Sequence, residues 1–351
     1  MKNFTKSKPL HPRETSYNIF YNFITQKHQL KSILGSHLLN YNTRDSRFIK
    51  KVVTGTVRNY IYFFHILRQE SFNYSKIDNK SKVILMLGMY QLLFMDSIPN
   101  YAAISSSVDL AKIKNKSSYK FVNAILRKIT KASKYIFDDN INESFPIWLY
   151  DKLVNEYGDI RANKIMKSLN KEPLIWIRFP QNRKNDIVNF LDKHNALVFN
   201  SIHDNYIGVK KINSSIFIKV LDEYSCYIQN PSSGYVVKLL NPKNNQSLLD
   251  ACAGPGGKLT NIYSVVNNSK NITAIEKDKK SYDLTNKNLL RMSINTKILI
   301  NKDFLYYNDK LFDNILLDVP CSGTGTISKN PDIKVRRNIY EYKAYMKLQY
   351  A

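Results

Sequence analysis

A carboxylate and a thiol stand three residues apart at the end of one apolar run. The run reads Asn314-Ile315-Leu316-Leu317-Asp318-Val319-Pro320-Cys321, followed by Ser322-Gly323-Thr324-Gly325. If it is a strand, Asp318 and Cys321 arrive at its carboxyl edge, where open α/β sheets hold their ligands. A thiolate there can add to C6 of a cytosine. The addition makes C5 enamine-like, so that C5 can take a methyl group. A Pro-Cys pair says little alone, because a buried cysteine is usually inert. Its meaning depends on what precedes it.

What precedes it is Leu248-Leu249-Asp250-Ala251-Cys252-Ala253-Gly254-Pro255-Gly256-Gly257-Lys258. That reads as strand, glycine-rich turn and helix start. Glycines let the backbone approach a ligand, and a helix N-terminus offers free N–H groups. The run is neither G-x-G-x-x-G nor G-x-x-x-x-G-K-[ST], so dinucleotide and nucleotide-phosphate loops do not fit. Asp250 before the turn fits a methyltransferase, with the methionine part of S-adenosylmethionine as ligand. A second strand, NITAIE, ends in Glu276, placed to accept hydrogen bonds from ribose hydroxyls. A third, KILINKDF, brings Asp303, which is either an adenine-side contact or a turn cap.

These residues need a sheet to hold them, and the pattern supplies one. From residue 231 to 351, short apolar strands alternate with helical stretches such as KLTNIYSVV and KKSYDLTNKNLLRM, as in a doubly wound parallel sheet. Residues 140–230 are mixed. FPIWLYDKLVNEYGDIRANKIMKSLN predicts two short helices, PLIWIRFPQNRKNDIVNFLDKHN a strand, turn and helix, and YIGVKKI and SIFIKV two short alternating runs. Residues 1–135 read as about five helices in a bundle. Thr15 or Ser16 would cap the first, Asp45 or Ser46 the second, and SKVILMLGMYQLLFM is the buried centre.

Charge separates the segments further. The 351 residues carry a formal +25, and residues 1–135 hold 23 Lys and Arg against 6 Asp and Glu. Such a field favours a polyanionic partner. Three cysteines, none in a C-x-x-C pair, suggest neither zinc nor a disulfide framework and fit a reducing cytosol. No 18-residue apolar run points to a membrane span, and the N-terminus lacks the apolar core of a secretory signal.

The segments LGMYQLLFMDSIPNYAAISSSVDLAKI and YKFVNAILRKI resemble the RNA-binding helical domain of the NusB type. With Tyr227-Ile228-Gln229-Asn230-Pro231-Ser232-Ser233, CAGPGGK, DVPCSGTG and NPDIKVRR, nearly the whole chain resembles the Sun/Fmu branch of the RNA cytosine-C5 methyltransferases, the RsmB family. The resemblance implies a fold: an all-α NusB-like bundle, then a Rossmann-like class I S-adenosylmethionine-dependent methyltransferase domain, incomplete at its C-terminal end. It implies that Cys252, Ala253, Gly254, Pro255, Gly256, Gly257, Lys258, Glu276, Asp303 and Asp318 line the cofactor pocket. Arg127 and Arg178 are the implied RNA contacts, with Pro180 where the family usually has Asn. The implied partner is 16S ribosomal RNA, free or early in 30S assembly, met by a monomer in the cytoplasm.

Family members carry a second cysteine in a Thr-Cys-Ser motif, which attacks C6, while the Pro-Cys thiol helps release the product. Cys321 matches the helper. No Thr-Cys-Ser follows before Ala351, so the expectation is a fragment without turnover. Two other readings stand beside this one. In the first, a non-enzymatic RNA-binding protein keeps a relic cofactor domain. In the second, a DNA cytosine-C5 methyltransferase uses the Pro-Cys thiol itself as nucleophile.

Overall fold

In the computed structural model, the structure describes residues 10–26, 28–71, 73–131, 144–266, 271–308 and 310–350. The chain groups into two compact units. One comprises residues 1–172 with 321–351, the other residues 173–320.

The first unit is helical. Its described helices are α1 (Pro12–Gln26), α2 (Leu30–Leu38), α3 (Thr43–Arg58), α4 (Tyr60–Glu70), α5 (Asn79–Phe94), α6 (Asn100–Lys114), α7 (Tyr119–Lys131), α8 (Ile147–Tyr157) and α9 (Asp159–Leu169). The caps differ from those expected. Thr15 and Ser16 are buried inside α1, and Ser16 turns its hydroxyl back to the Pro12 carbonyl at 2.8 Å. Asn42 caps α3 by accepting from the Asp45 N–H at 2.8 Å, so Asp45 and Ser46 fall in the first turn. One long expected helix divides into α3 and α4 at Asn59, whose N–H and side chain both return to the Gly55 carbonyl. The apolar centre is α5, as the sequence predicts. It packs against α1, α3, α6 and α7, with Val83 through Gln91 all buried.

Gly55 of α3 shows how closely that centre is filled. A Cβ there would lie 1.9 Å from Cζ of Tyr90. Gly55→Ala is expected to destabilise the helical unit by about 2 kcal/mol in thermal unfolding, and Tyr90→Leu in the same chain to restore most of it. Equal melting of Gly55→Ala and the parent would refute this packing.

Residues 321–351 return to this unit and add the short helix Ile333–Arg336 and the helix Ile339–Tyr350. The return is fastened by polar groups. Arg58 Nη1 donates to the carbonyls of Lys171 (3.2 Å) and Ser328 (3.1 Å). The Leu30 N–H donates to Asp332 at 3.5 Å. Lys334 is buried, with Nζ 4.4 Å from the centre of the Phe145 ring, and donates to the Arg58 carbonyl (2.5 Å) and Asn170 Oδ1 (2.7 Å). Ile327 and Ile333 pack with Phe145, Leu149 and Met166 beneath it.

The second unit holds two four-stranded sheets. The first is built from β1 (Ile175–Arg178), α10 (Lys184–Lys193), β2 (Leu197–Asn200), β3 (Tyr206–Lys210), α11 (Ser214–Glu223) and β4 (Tyr227–Ile228), antiparallel in the order β2-β3-β1-β4. The run SIFIKV, an alternating strand by pattern, is the start of α11. Asn213 caps it by accepting from the Ser215 N–H, and only Val220 of α11 is fully buried. The cap and the burial of Val220 in the core of this sheet outweigh the β-branched alternation.

The second sheet follows α12 (Pro231–Leu240) and runs β5 (Leu248–Asp250), α13 (Gly257–Val266), β6 (Ile272–Ile275), α14 (Lys279–Arg291), β7 (Leu299–Ile300) and β8 (Asn314–Leu316). All its pairings are parallel, in the order β7-β6-β5-β8. The chain moves from β5 outward to β7, then crosses back to place β8 on the other side of β5. The order therefore reverses between β5 and β8, which is where such sheets open a crevice at their carboxyl ends.

Candidate active site

Asp250 ends β5 and is 1% exposed. Neither carboxylate oxygen has a hydrogen bond of good geometry. Burial pushes its pKa up to about 7, against the pull of the Cys252 amide and with help from the Asp318 charge. An acid kept this dry loses its proton near neutrality, and a cation beside it would favour that loss.

The turn after Asp250 is tied on three sides. The Ala253 N–H donates to the Ile275 carbonyl of β6, and the Gly254 N–H to Glu276 Oε2 at 2.8 Å. The Pro255 carbonyl accepts from Tyr227 Oη at 2.6 Å and Asn288 Nδ2 at 3.1 Å. Gly256 has φ +97°, a left-handed conformation that glycine adopts without strain, and Gly257 opens α13. Gly254 is restricted by space instead: a Cβ there would lie 2.3 Å from Glu276 Oε2. The strap is thus drawn down onto the tip of β6.

Glu276 faces it with both oxygens in use on one side, since Oε1 accepts from the Asp278 N–H at 2.8 Å. A carboxylate oxygen has a second lone pair, so the group can still accept from hydroxyls. Lys258, in the first turn of α13, forms an ion pair with Asp318 beyond β8. This pair joins the two strands on either side of the order reversal. Asp303 pairs with Lys277 at 2.7 Å and caps a short 3-10 turn through the Leu305 N–H. The lysine, then that amide, hold its carboxyl below the usual range.

The second unit thus gathers Cys252 through Lys258, Glu276 and Asp318 along the carboxyl ends of β5, β6 and β8, with Asp303 following β7. Cys321 is exposed and opens the segment that groups with the helical unit. The other two thiols are poor nucleophiles. Burial pushes Cys226 up to about 12 and Cys252 up to about 11, the latter with Asp250 and Glu276 nearby. Arg127 is exposed on α7 but is not its last turn, since the helix continues to Lys131; its Nε donates to Asn123. Arg178 corrects an expectation. It is 4% exposed, and its guanidinium reaches Thr260 Oγ1 at 2.7 Å and Ser264 Oγ at 3.3 Å on α13. Burial lowers it to about 10. Buried there, the guanidinium braces β1 against α13 and presents no exposed face to a phosphate.

The roles of several site residues were invisible in the sequence. Tyr227 and Asn288 tie the strap from 28 and 33 residues away, and Lys277 engages Asp303. Their types carry no signal without the fold that brings them together.

Comparison with known proteins agrees with this arrangement. Residues 237–351 match a family model described as 16S rRNA methyltransferase RsmB/F, and residues 10–131 match the NusB family. The ribosomal RNA small subunit methyltransferase B of Proteus mirabilis is 27% identical over 348 residues, covering 93% of this chain and 81% of that protein. The probable counterpart from Bacillus subtilis is 29% identical over 324 residues, covering 87% and 71%. The crystal structure of PH0851 superimposes with a TM-score of 0.69 at 18% identity, over 98% of this chain and 82% of that one, which is a likeness of fold. The chain thus carries a region similar to the NusB family and, after it, one similar to the RsmB/F family of 16S rRNA methyltransferases.

Proposed function

We propose that this chain binds S-adenosylmethionine at the reversal between β5 and β8 and serves methylation of a cytidine at C5 in 16S ribosomal RNA. The observation that carries the reading is the strap at Gly254, held against Glu276 at the carboxyl ends of β5 and β6. The residues fit the cofactor. Glu276 can accept from ribose hydroxyls, Asp303 stands on the adenine side, the turn from Cys252 to Lys258 borders the amino-acid part, and Asp250 and Asp318 supply negative charge for its cationic centres. When bound, the cofactor supplies an electrophilic methyl group on a positively charged sulfur.

The residues of this chain position the reacting groups. Gly254 admits the ligand to the backbone, Lys258 holds Asp318 at the crevice, and Asp318 is placed to meet the N3/N4 edge of the base. In the reaction a thiolate adds to C6, C5 takes the methyl group and loses its proton, and the thiolate leaves. Cys321 assists that departure. Residues 1–135 carry the basic RNA-binding bundle, 140–230 a small RNA-gripping region and 231–351 the methyltransferase part. The partner is 16S RNA free or early in 30S assembly, met by a monomer in the cytoplasm. Among the described residues no helix is long and apolar enough to cross a membrane.

Calorimetry with S-adenosylmethionine tests the site without requiring turnover. Because Asp250 titrates near 7 when nothing is bound, a cationic ligand should bind roughly ten-fold more tightly at pH 8 than at pH 6. Asp250→Asn should flatten that dependence. A parent protein with no measurable affinity at either pH would overturn the cofactor reading. For RNA, affinity should fall steeply with salt, and Arg127→Ala should reduce the slope of log K against log salt by about one. An unchanged slope would remove Arg127 from the interface.

A further inference from the structure

Pro255 stands in the middle of the strap, and two side chains from distant parts of the chain hold its carbonyl. Tyr227 of β4 donates its hydroxyl to that oxygen at 2.6 Å, and Asn288 of α14 donates its amide at 3.1 Å. The two also meet each other, with Asn288 Nδ2 3.4 Å from Tyr227 Oη. A carbonyl oxygen has two lone pairs, so both are engaged inside the protein. The Tyr227 ring reaches further along the strap. A Cβ on Gly257 would lie 3.2 Å from its Cε1, so the ring fills the space that a side chain would take there.

Tyr227 is itself held. It is buried and pairs with Arg178 across β4 and β1, and the Arg178 guanidinium lies 5.9 Å from its ring while gripping Thr260 in the first turn of α13. Burial pushes the Tyr227 hydroxyl up to about 12, so it keeps its proton and remains a donor at neutral pH. The tether bears on one end of the cofactor. A carbonyl released from it would set an unpaired acceptor beside a ligand carboxylate, which repels it. With that oxygen engaged, the strap leads into the start of α13, where Gly257, Lys258 and Leu259 carry N–H groups that have no acceptor within the helix. The ribose and adenine ends meet Glu276 and Asp303. Those two keep the Asp278 N–H and Lys277 whatever the Pro255 carbonyl does.

We propose that Tyr227 and Asn288 are positioning residues for the amino-acid end of the cofactor, acting jointly through the Pro255 carbonyl. This rests on the reading that the strap binds S-adenosylmethionine. Because two donors serve one oxygen, either alone still holds the carbonyl, and only the loss of both frees it. Their effects on binding are therefore coupled, as expected for groups that share a partner.

Two ligands separate this role from a merely structural one. S-adenosylhomocysteine and methylthioadenosine share adenine, ribose and a thioether, and only the first carries the amino-acid end. Calorimetry on the full chain should show affinity for S-adenosylhomocysteine falling about three-fold in Tyr227→Phe and in Asn288→Leu, and about thirty-fold in the double variant. Affinity for methylthioadenosine should stay within about two-fold of the parent in all three, which also reports that the unit is folded. Should the double variant not fold, the ratio of the two affinities in Tyr227→Phe decides the question, since that change keeps the ring against Gly257. Equal losses for both ligands in a folded variant, or no loss for either, overturn the positioning role and leave the cofactor reading in place. A parent that binds neither ligand overturns both.

Discussion

Gly254→Val is expected to lose affinity for S-adenosylmethionine by about a hundred-fold or more, with the fold retained. The first added carbon would lie 2.3 Å from Glu276 Oε2 and 2.7 Å from Cβ of Ser281. Both neighbours belong to the wall the strap rests on, so the strap must lift and the 2.8 Å bond from its N–H to Glu276 must break. A displacement of about 1 Å at such a site is enough for two orders of magnitude. Gly35→Ala is the control, since nothing lies within 4 Å of a Cβ there. Calorimetry gives the affinities and circular dichroism the fold. An affinity for Gly254→Val within three-fold of the parent would show that the strap does not position the ligand.

The second large effect belongs to Lys334. It is buried beside Phe145 with two oxygen acceptors, and among the described ion pairs none engages it. Burial, with the Arg58 charge beside it, pushes its pKa well below the usual lysine range. The sign follows directly. Between its folded pKa and 10.5, the unfolded chain binds a proton that the folded chain does not, so stability rises with pH across that window. Lys334→Met keeps most of the volume and should abolish the rise, measured as denaturant midpoints from pH 7 to 10. Lys334→Ala also leaves a cavity and two unsatisfied acceptors, and should cost about 3 kcal/mol or more at neutral pH. Parallel stability curves for the parent and Lys334→Met would disprove the assignment.

The sequence was readable where a local rule coincided with the fold. Every strand of the parallel sheet was marked by an apolar run ending in a turn residue, and α5 by its unbroken apolar stretch. Reading failed where two local rules competed. Asn42 and Asp45 are both good caps, and only the entry angle of the chain chooses between them. SIFIKV alternates like a strand, yet the Asn213 cap and the burial of Val220 in the core of this sheet make it the start of a helix. At the site, Glu276 and the glycine turn were legible because strand ends and glycines are punctuation. Asn288 and Lys277 were not, since each is an ordinary surface residue until folding places it beside Pro255 or Asp303, and the segment that opens on Tyr227 gives no sign that its hydroxyl ties the strap. Arg178 failed in the opposite sense: a basic residue near a basic segment suggests a phosphate contact, and only burial reveals a brace.

The helical unit is made from two stretches of chain with residues 173–320 between them. During synthesis the first stretch therefore leaves the ribosome well before the second exists, a gap on the order of ten seconds at ordinary elongation rates. Throughout that interval the Arg58 guanidinium has no Ser328 carbonyl to reach, and the Arg58 carbonyl has no Lys334. The sheet-bearing unit is continuous in sequence, so no contact within it waits for that later stretch. The bundle that begins the chain is thus finished only after residues 173–320 have been made.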